Sequence, residues 1–362
     1  MWGEAMKAGL LKRKVRAAQK EFGRDGLPGL ARVAMSKLSR PLLKAKIRYT
    51  NPGHGLTTPT TVQIECSSNC NLRCPSCSLS REVNPGRHMS PDDLRTILDK
   101  LHFQPKAVSL NGIGEPLINP NFLTLVDILA ERGTRCTFFT NGTLLTARMT
   151  EQILSRSNVT FVGISCDGAR KETFEALRFG AKFETWKGFV KNFLSAAHGR
   201  SPHPVETVMN GVVSQRNLSE LDGLVQLAAE LGFRSVQFTD LVPNDPVAAA
   251  LQMADIQWNM LDTQSISRHG EELGVGVSWG LRRKEIPPKT GLRCLQPWEY
   301  VMLSVEGDVL PCCAIIGSDK ADVMGNVFEQ DFTQIWQGDK FESFRRASAD
   351  GTNRLCRMCP YY

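Results

Sequence analysis

The sequence lacks several features that would assign it to common protein classes. None of its apolar runs approaches the roughly 20 residues of a membrane-spanning helix, which excludes an integral helical membrane protein. The first 23 residues contain no apolar segment followed by a small-residue cleavage site, so we expect no secretory signal and a cytoplasmic protein. There is no internal repeat and no low-complexity tract, which excludes a repeat protein.

The missing export signal determines how the 11 cysteines are interpreted. Thiols stay reduced in the cytoplasm, so these cysteines are better explained as metal ligands or reactive groups than as a disulfide framework. A chain of 362 residues, 41% hydrophobic and 22% charged, is typical of a globular protein with one large domain and a smaller one.

The formal net charge of +7 is concentrated at the N-terminal end. Residues 1–50 contain 13 Lys or Arg and three Asp or Glu, a net charge of +10, and the remaining 312 residues sum to −3. Two helices are predicted in this segment. The first carries an apolar stripe at helical spacing, formed by Leu11, Val15, Ala18 and Phe22. The second runs from about Leu30 to Arg40 and is ended by Pro41.

This basic amphipathic arm, with its linker over residues 1–58, has several open interpretations. It could be a helical pair packed on the main domain with a solvated basic face. It could instead lie on anionic lipid, as a peripheral membrane contact, or hold an anionic or lipid-linked substrate. Nucleic acid is disfavoured as a partner because no aromatic or groove-reading motif accompanies the charge.

Short apolar or β-branched runs alternate with helical patterns over residues 59–255. Strands that alternate with helices form parallel βαβ units, and six units are too few to close an eight-stranded barrel. The predicted fold is therefore α/β, a partial (β/α)6 barrel with an N-terminal helical arm. After residue 255 the alternation is expected to stop, and cysteines reappear, which predicts a second, smaller, loop-rich domain organised around a metal site over 256–362. The six predicted strands are 61–66, 107–112, 135–141, 159–168, 205–213 and 234–242.

Two helices carry clear terminal signals. Ser90 is the predicted N-cap of a helix with Pro91 in its first position and acidic residues in its first turn. Asn217 is the predicted cap of a second helix, which ends at Gly232.

The segment CNLRCPSC places three cysteines, Cys70, Cys74 and Cys77, directly after the first predicted strand. The C-terminal ends of strands are where barrels of this kind carry their chemistry. A [4Fe–4S] cluster has four irons, so three thiolates leave one iron open to a small molecule. The alternative is a zinc ion that takes Cys66 or His88 as its fourth ligand.

This motif resembles the signature of the radical S-adenosylmethionine (SAM) enzymes, C-x3-C-x2-C after the first strand of a partial (β/α)6 barrel. The resemblance implies that SAM chelates the open iron and is reductively cleaved to a 5′-deoxyadenosyl radical, which abstracts a substrate hydrogen. It also implies an electron donor of the flavodoxin or ferredoxin type. One position departs from the pattern: the residue before the third cysteine is usually aromatic or large, and here it is Ser76. Contacts to adenine must then come from elsewhere.

Three further motifs of this family follow successive predicted strands. The segment NGIGEP (111–116) resembles the motif that binds the SAM amine, with Glu115 as the expected acceptor. TNGT (140–143) and SCDG (165–168) resemble strand-end ribose and substrate contacts. The resemblance therefore implies that the cofactor-binding residues are Gly112, Gly114, Glu115, Pro116, Asn141 and Ser165.

The C-terminal cysteines resemble the shortened "twitch" form of a SPASM domain. That resemblance implies one auxiliary [4Fe–4S] cluster with four ligands, and a structural zinc site is the alternative. Cys313 could replace its neighbour Cys312 as a ligand. The expected ligands are Cys294, Cys312, Cys356 and Cys359.

The spacing of all these cysteines resembles that of the radical SAM dehydrogenase of butirosin biosynthesis. The implied function is oxidation of an alcohol of a sugar, cyclitol or related small molecule, with the auxiliary cluster as electron acceptor. One alternative is an epimerase or other redox-neutral enzyme that uses Cys166 as hydrogen donor, although a small buried strand residue explains Cys166 as well. Others are a peptide- or protein-modifying maturase and a non-enzymatic electron carrier, which would not need an open three-cysteine site. Cys66 and Cys136 are assigned to packing.

Overall fold

The computed structural model describes residues 52–53, 55, 58–77, 86–202, 204–241, 250–251, 261–280, 294–312 and 322–359. The predicted arm, residues 1–50, lies outside these ranges, and so does Cys313. Among the described residues, none of the helices is long and apolar enough to span a membrane.

The first six strands follow the predicted order and lie side by side, each parallel to the next. Their bounds are β1 Thr61–Ile64, β2 Ala107–Leu110, β3 Arg135–Thr140, β4 Val159–Ser165, β5 Glu206–Val213 and β6 Ser235–Asp240. The predicted α/β fold with a partial barrel is confirmed. The helices that connect these strands are α1 Pro91–Lys100, α2 Phe122–Glu131, α3 Ala147–Leu154, α4 Lys171–Leu177, α5 Phe183–Gly199 and α6 Leu221–Leu231.

The alternation continues beyond residue 255, so the expectation that it stops there is wrong. Helix α7 (Thr263–Glu272) leads into strand β7 (Gly276–Gly280), which pairs parallel with β6. Strand β7 lies at the edge of the sheet and is half-exposed, with the sequence GVSWG. Because β7 is half-exposed, it contains no apolar run from which a strand could have been predicted.

The C-terminal segment joins the same sheet at its other edge. Strand β8 (Tyr300–Leu303) follows the short helix α8 (Gln296–Glu299) and pairs parallel with β1. Strands β9 (Asp308–Leu310) and β10 (Gly325–Asn326) continue the sheet in antiparallel pairing. Within the described residues, the remaining α-helices are α9 Phe332–Trp336, α10 Asp339–Ala349 and α11 Arg354–Met358.

The two faces of the parallel strands differ in chemistry. One face is apolar and packs with the helices in the main core, which includes Val62, Ile64, Val108, Leu110 and Phe138. The side chains of the other face point into the partial barrel. They alternate along each strand with those of the first face, because successive side chains of a strand point to opposite sides. Its half-exposed polar residues include Ser109, Thr137, Ser165, Asn210, Gln237 and Thr239.

Helix ends show where sequence signals were sufficient. Ser90 accepts a hydrogen bond from the Asp93 N–H at 3.1 Å, and the Asp93 carboxylate accepts one from the Ser90 N–H, which is a complete capping box. Gly232 ends α6 in the left-handed region at φ 96°. Asn217 does not cap through its side chain, so that prediction is wrong: its amide instead donates to the carbonyls of Asp167 and Val212, both at 2.8 Å.

Candidate functional site

The loop after β1 presents three half-buried thiols, those of Cys70, Cys74 and Cys77. The loop is held by its own backbone and by a neighbouring segment. The Cys77 N–H donates to the Cys74 carbonyl at 3.0 Å, and the Arg73 N–H donates to the Phe179 carbonyl at 2.9 Å. The first bond closes a turn between the second and third cysteines, and the second bond ties the loop to the segment at Phe179.

The three thiols are electrostatically coupled. The pKa of Cys74 is raised to about 11, chiefly by burial; Arg178 opposes this shift, and the charges of Asp167, Cys77 and Cys70 contribute to it. Burial also raises the pKa of Cys70, and Cys77 adds to that shift. Bound iron would lower these pKa values, because a metal ion favours the thiolate form. Three half-buried thiols on one short loop are the donor type that an iron–sulfur cluster uses, although among the described residues no three Cys, His, Asp or Glu side chains lie close enough to hold a metal ion as they stand.

Cys66 and His88, the two alternatives for the fourth ligand of a zinc site, each have other partners in the structure. Cys66 is fully buried, and its sulfur lies 3.7 Å from the Leu110 carbonyl. His88 has its Nδ1 3.0 Å from the Ser67 hydroxyl. The packing assignment of Cys66 agrees with this geometry, and burial raises the pKa of its thiol well above the usual range.

The NGIGEP loop after β2 packs directly on the cysteine loop. The Glu115 N–H donates to the Asn69 carbonyl at 2.7 Å. A Cβ at Gly114 would lie 2.2 Å from that same carbonyl oxygen and 2.4 Å from the Ser67 carbonyl. A Cβ at Gly112 would lie 2.3 Å from the Glu65 side chain. Both glycines are thus required by contacts within the protein, in addition to the predicted approach of SAM.

The Glu115 carboxylate braces this loop against the end of β3. It accepts hydrogen bonds from the Thr140 hydroxyl at 2.6 Å, the Asn141 N–H at 2.7 Å and the Leu117 N–H at 3.2 Å. Burial raises the pKa of Glu115, and these donors offset part of that shift. The side chain is 3% exposed, so its observed contacts are those of a positioning residue. Direct contact with the SAM amine stays a prediction.

Pro116 is buried at the start of a short 3-10 helix, residues Pro116–Ile118. Its ring suits that first helical position, where no N–H is needed. The proline therefore directs the chain away from the loop.

Asn141, at the end of β3, contacts the cysteine loop through its amide. Its Nδ2 donates to Asn71 Oδ1 at 2.9 Å and lies 3.9 Å from the Cys70 sulfur. Asn71 Nδ2 in turn donates to the Thr143 hydroxyl at 2.9 Å. Amide groups beside a cysteine sulfur tune the electronic properties of a cluster bound there. Sequence reasoning missed Asn71, because an asparagine between two cysteines carries no pattern of its own.

The SCDG loop after β4 joins the same region. Ser165 is half-exposed on the inner face, beside Asn210 of β5. Cys166 is fully buried, with its sulfur 3.4 Å from the Gly168 carbonyl, and burial raises the pKa of its thiol to about 12. The thiol therefore stays protonated in a packed position.

Asp167 and Arg178 form a buried ion pair next to Cys74. Arg178 Nε lies 2.7 Å from Asp167 Oδ2, and the two side chains are 13% and 7% exposed. Asp167 Oδ1 also accepts from the Val212 N–H at 2.8 Å.

We expect Arg178→Met to lower the free energy of unfolding by about 3–5 kcal/mol, because it leaves the Asp167 charge buried without its partner. Urea denaturation would measure this. Arg95→Met is the matched control, since Arg95 pairs with Asp92 on the surface at 3.5 Å and should change stability by less than about 0.5 kcal/mol. Equal effects of the two substitutions would contradict the assignment of a buried pair.

Helix α10 connects the C-terminal cysteines. Cys312 packs in a small cluster that also contains Tyr300 and Leu355, the residue before Cys356. The Cys356 thiol lies 3.5 Å from the Ser348 hydroxyl of α10. All four predicted auxiliary ligands, Cys294, Cys312, Cys356 and Cys359, are half-buried.

Arg345, also on α10, reaches the segment that follows Cys294. It is fully buried, donates to the Pro297 carbonyl at 2.9 Å, and has its guanidinium 4.3 Å from the ring centres of Trp336 and Phe341. Burial lowers its pKa to about 10. Sequence reasoning missed Arg345, because it adjoins Arg346, whose side chain is exposed.

Comparison with known proteins gives matches for both parts of the chain. Residues 64–228 match the radical SAM superfamily, and residues 294–360 match SPASM, an iron–sulfur cluster-binding domain. The mycofactocin maturase MftC of Mycobacterium ulcerans is 30% identical over 325 residues, covering 85% of this chain and 82% of that protein. The chain belongs to the radical SAM superfamily.

Other similarities of this radical SAM protein agree. The AdoMet-dependent heme synthase of Methanosarcina barkeri is 25% identical over 328 residues, covering 84% of this chain and 89% of that protein. The crystal structure of Streptococcus suis SuiB bound to the precursor peptide SuiA superposes with a TM-score of 0.65 at 18% identity, covering 87% of this chain and 73% of that one. The structural match supports a shared fold.

The two matched domains carry the cofactors. A radical SAM domain implies a [4Fe–4S] cluster and SAM, and a SPASM domain implies auxiliary iron–sulfur clusters. The predicted cofactor classes are thereby confirmed. Two sets of half-buried thiols, one in each matched domain, are the donor chemistry that such clusters require.

Proposed function

We propose that this radical SAM protein is an oxidoreductase that removes hydrogen from an uncharged, hydroxyl-bearing small molecule, such as a sugar or cyclitol alcohol. When bound, the SAM cluster would supply a 5′-deoxyadenosyl radical that takes the hydrogen atom from carbon, the auxiliary cluster would accept the remaining electron, and the hydroxyl proton would pass to a base or to solvent. A flavodoxin- or ferredoxin-type protein is the proposed electron donor. The protein itself positions these groups and excludes water.

The proposed ligands follow the two sets of thiols. Cys70, Cys74 and Cys77 would hold the SAM cluster. In the second set, Cys312 is preferred over Cys313, because Cys312 packs with the residue preceding Cys356. The proposed auxiliary ligands are Cys294, Cys312, Cys356 and Cys359.

The inner face of the sheet is the observation that carries the proposed substrate class. Hydroxyl and amide side chains form its rows: Ser109 pairs with Thr137, and Asn210 pairs with Gln237. Such groups recognise hydroxyls and amides by hydrogen bonds and provide no counter-charge for an anionic substrate. Two charged residues of the same parity, Arg135 and Glu206, are exposed at the N-terminal ends of their strands.

Two aromatic side chains, those of Phe139 and Phe161, lie on the same face of the sheet as these polar residues. The Phe139 and Phe161 rings meet edge to face, with centroids 5.5 Å apart. A Cβ at Gly163 would lie 2.2 Å from the Phe139 ring, so the ring covers that glycine. A flat apolar surface with polar groups around it suits a ring that carries hydroxyls on its rim and C–H groups on its faces.

Strand order supports an electron acceptor across the barrel from the radical. The three-cysteine loop leaves β1 at its C-terminal end. Cys294 precedes β8, which is parallel to β1, and Cys312 follows β9, which is antiparallel to β8. Both cysteines therefore lie toward the N-terminal end of β1, opposite the three-cysteine loop. A strand of four residues spans about 13 Å, which leaves room for a small molecule between the two ends of the strands.

A peptide-modifying function is the second candidate. Similar proteins include mycofactocin maturases, a subtilosin biosynthesis protein and a structure bound to a precursor peptide. The amide and hydroxyl rows could also bind a peptide backbone. The two candidate functions differ in the molecule from which the hydrogen atom is abstracted: a small-molecule alcohol or a peptide.

The test uses the anaerobically reconstituted full chain with SAM, a reductant and panels of substrates deuterated at carbon. The expected result is deuterium in 5′-deoxyadenosine and a carbonyl product two mass units lighter than the undeuterated alcohol, with neutral polyols or cyclitols. Deuterium transfer only from peptides would replace this proposal with the maturase function.

Cys166→Ala separates oxidation from the redox-neutral alternative. Because the thiol is buried against Gly168, we expect the turnover number to stay within about threefold of the wild type, as for a packing residue. A product switch from epimer to carbonyl in this variant, measured by mass spectrometry, would instead identify Cys166 as the hydrogen donor.

The N-terminal arm remains a proposed contact for an anionic or lipid-linked partner. Deleting residues 1–50 should weaken binding to vesicles that contain anionic lipid and leave binding to neutral vesicles unchanged. Undiminished binding of the truncated chain to vesicles that contain anionic lipid would contradict this proposal.

A further inference from the structure

Two buried side chains of the β1 segment connect the NGIGEP loop to the C-terminal part of the chain. Glu65, 4% exposed, directly follows β1. Its Oε1 accepts from the Ile113 N–H at 2.9 Å, and its Oε2 accepts from the Val305 N–H at 3.3 Å. Val305 lies two residues after β8, so one carboxylate joins the two matched domains.

Gln63 makes a second connection of the same kind. Its Nε2 donates to the Asn111 carbonyl at 2.9 Å, and its Oε1 accepts from the Tyr300 hydroxyl at 2.7 Å. Gln63 is 8% exposed, and its neighbour Tyr300 packs in the same small cluster as Cys312. Gln63 and Glu65 are two positions apart, so they share one face of β1.

The close contact between Gly112 and Glu65 shows that the position of the NGIGEP loop depends on the β1 segment. A Cβ at Gly112 would approach Glu65 Cγ and Oε1 to 2.3 Å, so the backbone of the loop rests on the carboxylate. The backbone at Asn111 and Ile113 is bonded on either side of it. A shift of β8 would therefore be transmitted to the loop through hydrogen bonds and direct contact.

We propose that Glu65 and Gln63 are positioning residues that couple the auxiliary domain to SAM affinity. A correctly docked β8, flanked by Cys294 and Cys312, holds residues 111–113 in the conformation that binds SAM. The inference rests on the proposed SAM-binding assignment of this loop. Because coupling between sites is reciprocal at equilibrium, SAM should also raise the affinity of the auxiliary site for its iron.

The first test measures the SAM dissociation constant of the full-length, reconstituted chain by equilibrium dialysis. Glu65→Gln should raise it about tenfold, because the amide has one oxygen for two N–H donors and loses a charge-assisted bond. Tyr300→Phe removes one hydroxyl and should raise it about threefold. Lys100→Met is the control: it removes a bond from Lys100 Nζ to the Phe328 carbonyl, away from the loop, and should leave SAM affinity unchanged.

The second test asks whether the effects are coupled. Cys356→Ala/Cys359→Ala, which removes the auxiliary cluster, should weaken SAM binding about tenfold in the wild type and by less than twofold in the Glu65→Gln background. A purely structural effect of Glu65 would give additive losses, and that result would overturn the inference. So would unchanged SAM affinity in Glu65→Gln and Tyr300→Phe. Failure of the wild type to bind SAM would instead refute the proposed function.

Discussion

Cys70→Ala is expected to reduce SAM cleavage to background. Cys70 is the first of the three half-buried thiols, and two remaining thiolates cannot hold the site-differentiated cluster that SAM requires. The substitution also removes the sulfur next to the Asn141 amide. The measurement is 5′-deoxyadenosine formed by the reconstituted protein with dithionite, together with the electron paramagnetic resonance signal of the reduced cluster and its change on adding SAM.

Cys66→Ala is the matched control for Cys70→Ala. Cys66 lies four residues earlier and is fully buried, with its sulfur near the Leu110 carbonyl. Its replacement should cost about 1 kcal/mol of stability and leave SAM cleavage intact. Loss of SAM cleavage in Cys66→Ala, with retention in Cys70→Ala, would mean that the ligands have been assigned to the wrong thiols.

Gly114→Ala is expected to weaken SAM binding at least tenfold without loss of the clusters. The added methyl would lie 2.2 and 2.4 Å from two backbone carbonyl oxygens, of Asn69 and Ser67, neither of which can rotate away. The loop must then separate from the cysteine loop and lose the bond from the Glu115 N–H to Asn69. Such overpacking costs about 1–3 kcal/mol, and with two close backbone contacts we expect a cost in the upper part of this range, which corresponds to more than tenfold if it falls on the bound state.

Gly188→Ala provides the control for Gly114→Ala. Gly188 lies within α5, and no atom beyond its own helix backbone and chain neighbours stands within 4 Å of the added Cβ. Alanine there should stabilise the fold by about 0.5–1 kcal/mol, because glycine is a poor helix former. SAM affinity should not change. Equal SAM dissociation constants for Gly114→Ala and the wild type would contradict the proposed place of the NGIGEP loop.

Features that depend on residues close together in the sequence could be predicted from it. The six parallel strands, the Ser90 capping box and the Gly232 helix end each depend on neighbouring residues only, and the structure has all of them. The three-cysteine loop was equally readable, because its spacing is short and its chemistry is specific. The expected cofactor classes followed from that loop and the C-terminal cysteines.

Contacts between distant segments could not be predicted in this way. Glu65 and Val305 are 240 positions apart, and Gln63 and Tyr300 are 237 apart, so no local pattern links them. Asn217 has the residue type of a helix cap, but its amide satisfies two carbonyls of neighbouring loops instead. Tertiary hydrogen bonds outweighed the local preference there.

Iron content tests the central claim of a two-cluster radical SAM enzyme most directly. The wild type and a Cys70→Ala/Cys74→Ala/Cys77→Ala variant should be purified without oxygen, reconstituted, and analysed by elemental analysis and Mössbauer spectroscopy. Four irons per cluster predict about eight irons per chain in the wild type and about four in the variant. About four irons in the wild type and none in the variant would contradict the account, because the C-terminal thiols would then hold no cluster and the proposed oxidation would lack its electron acceptor.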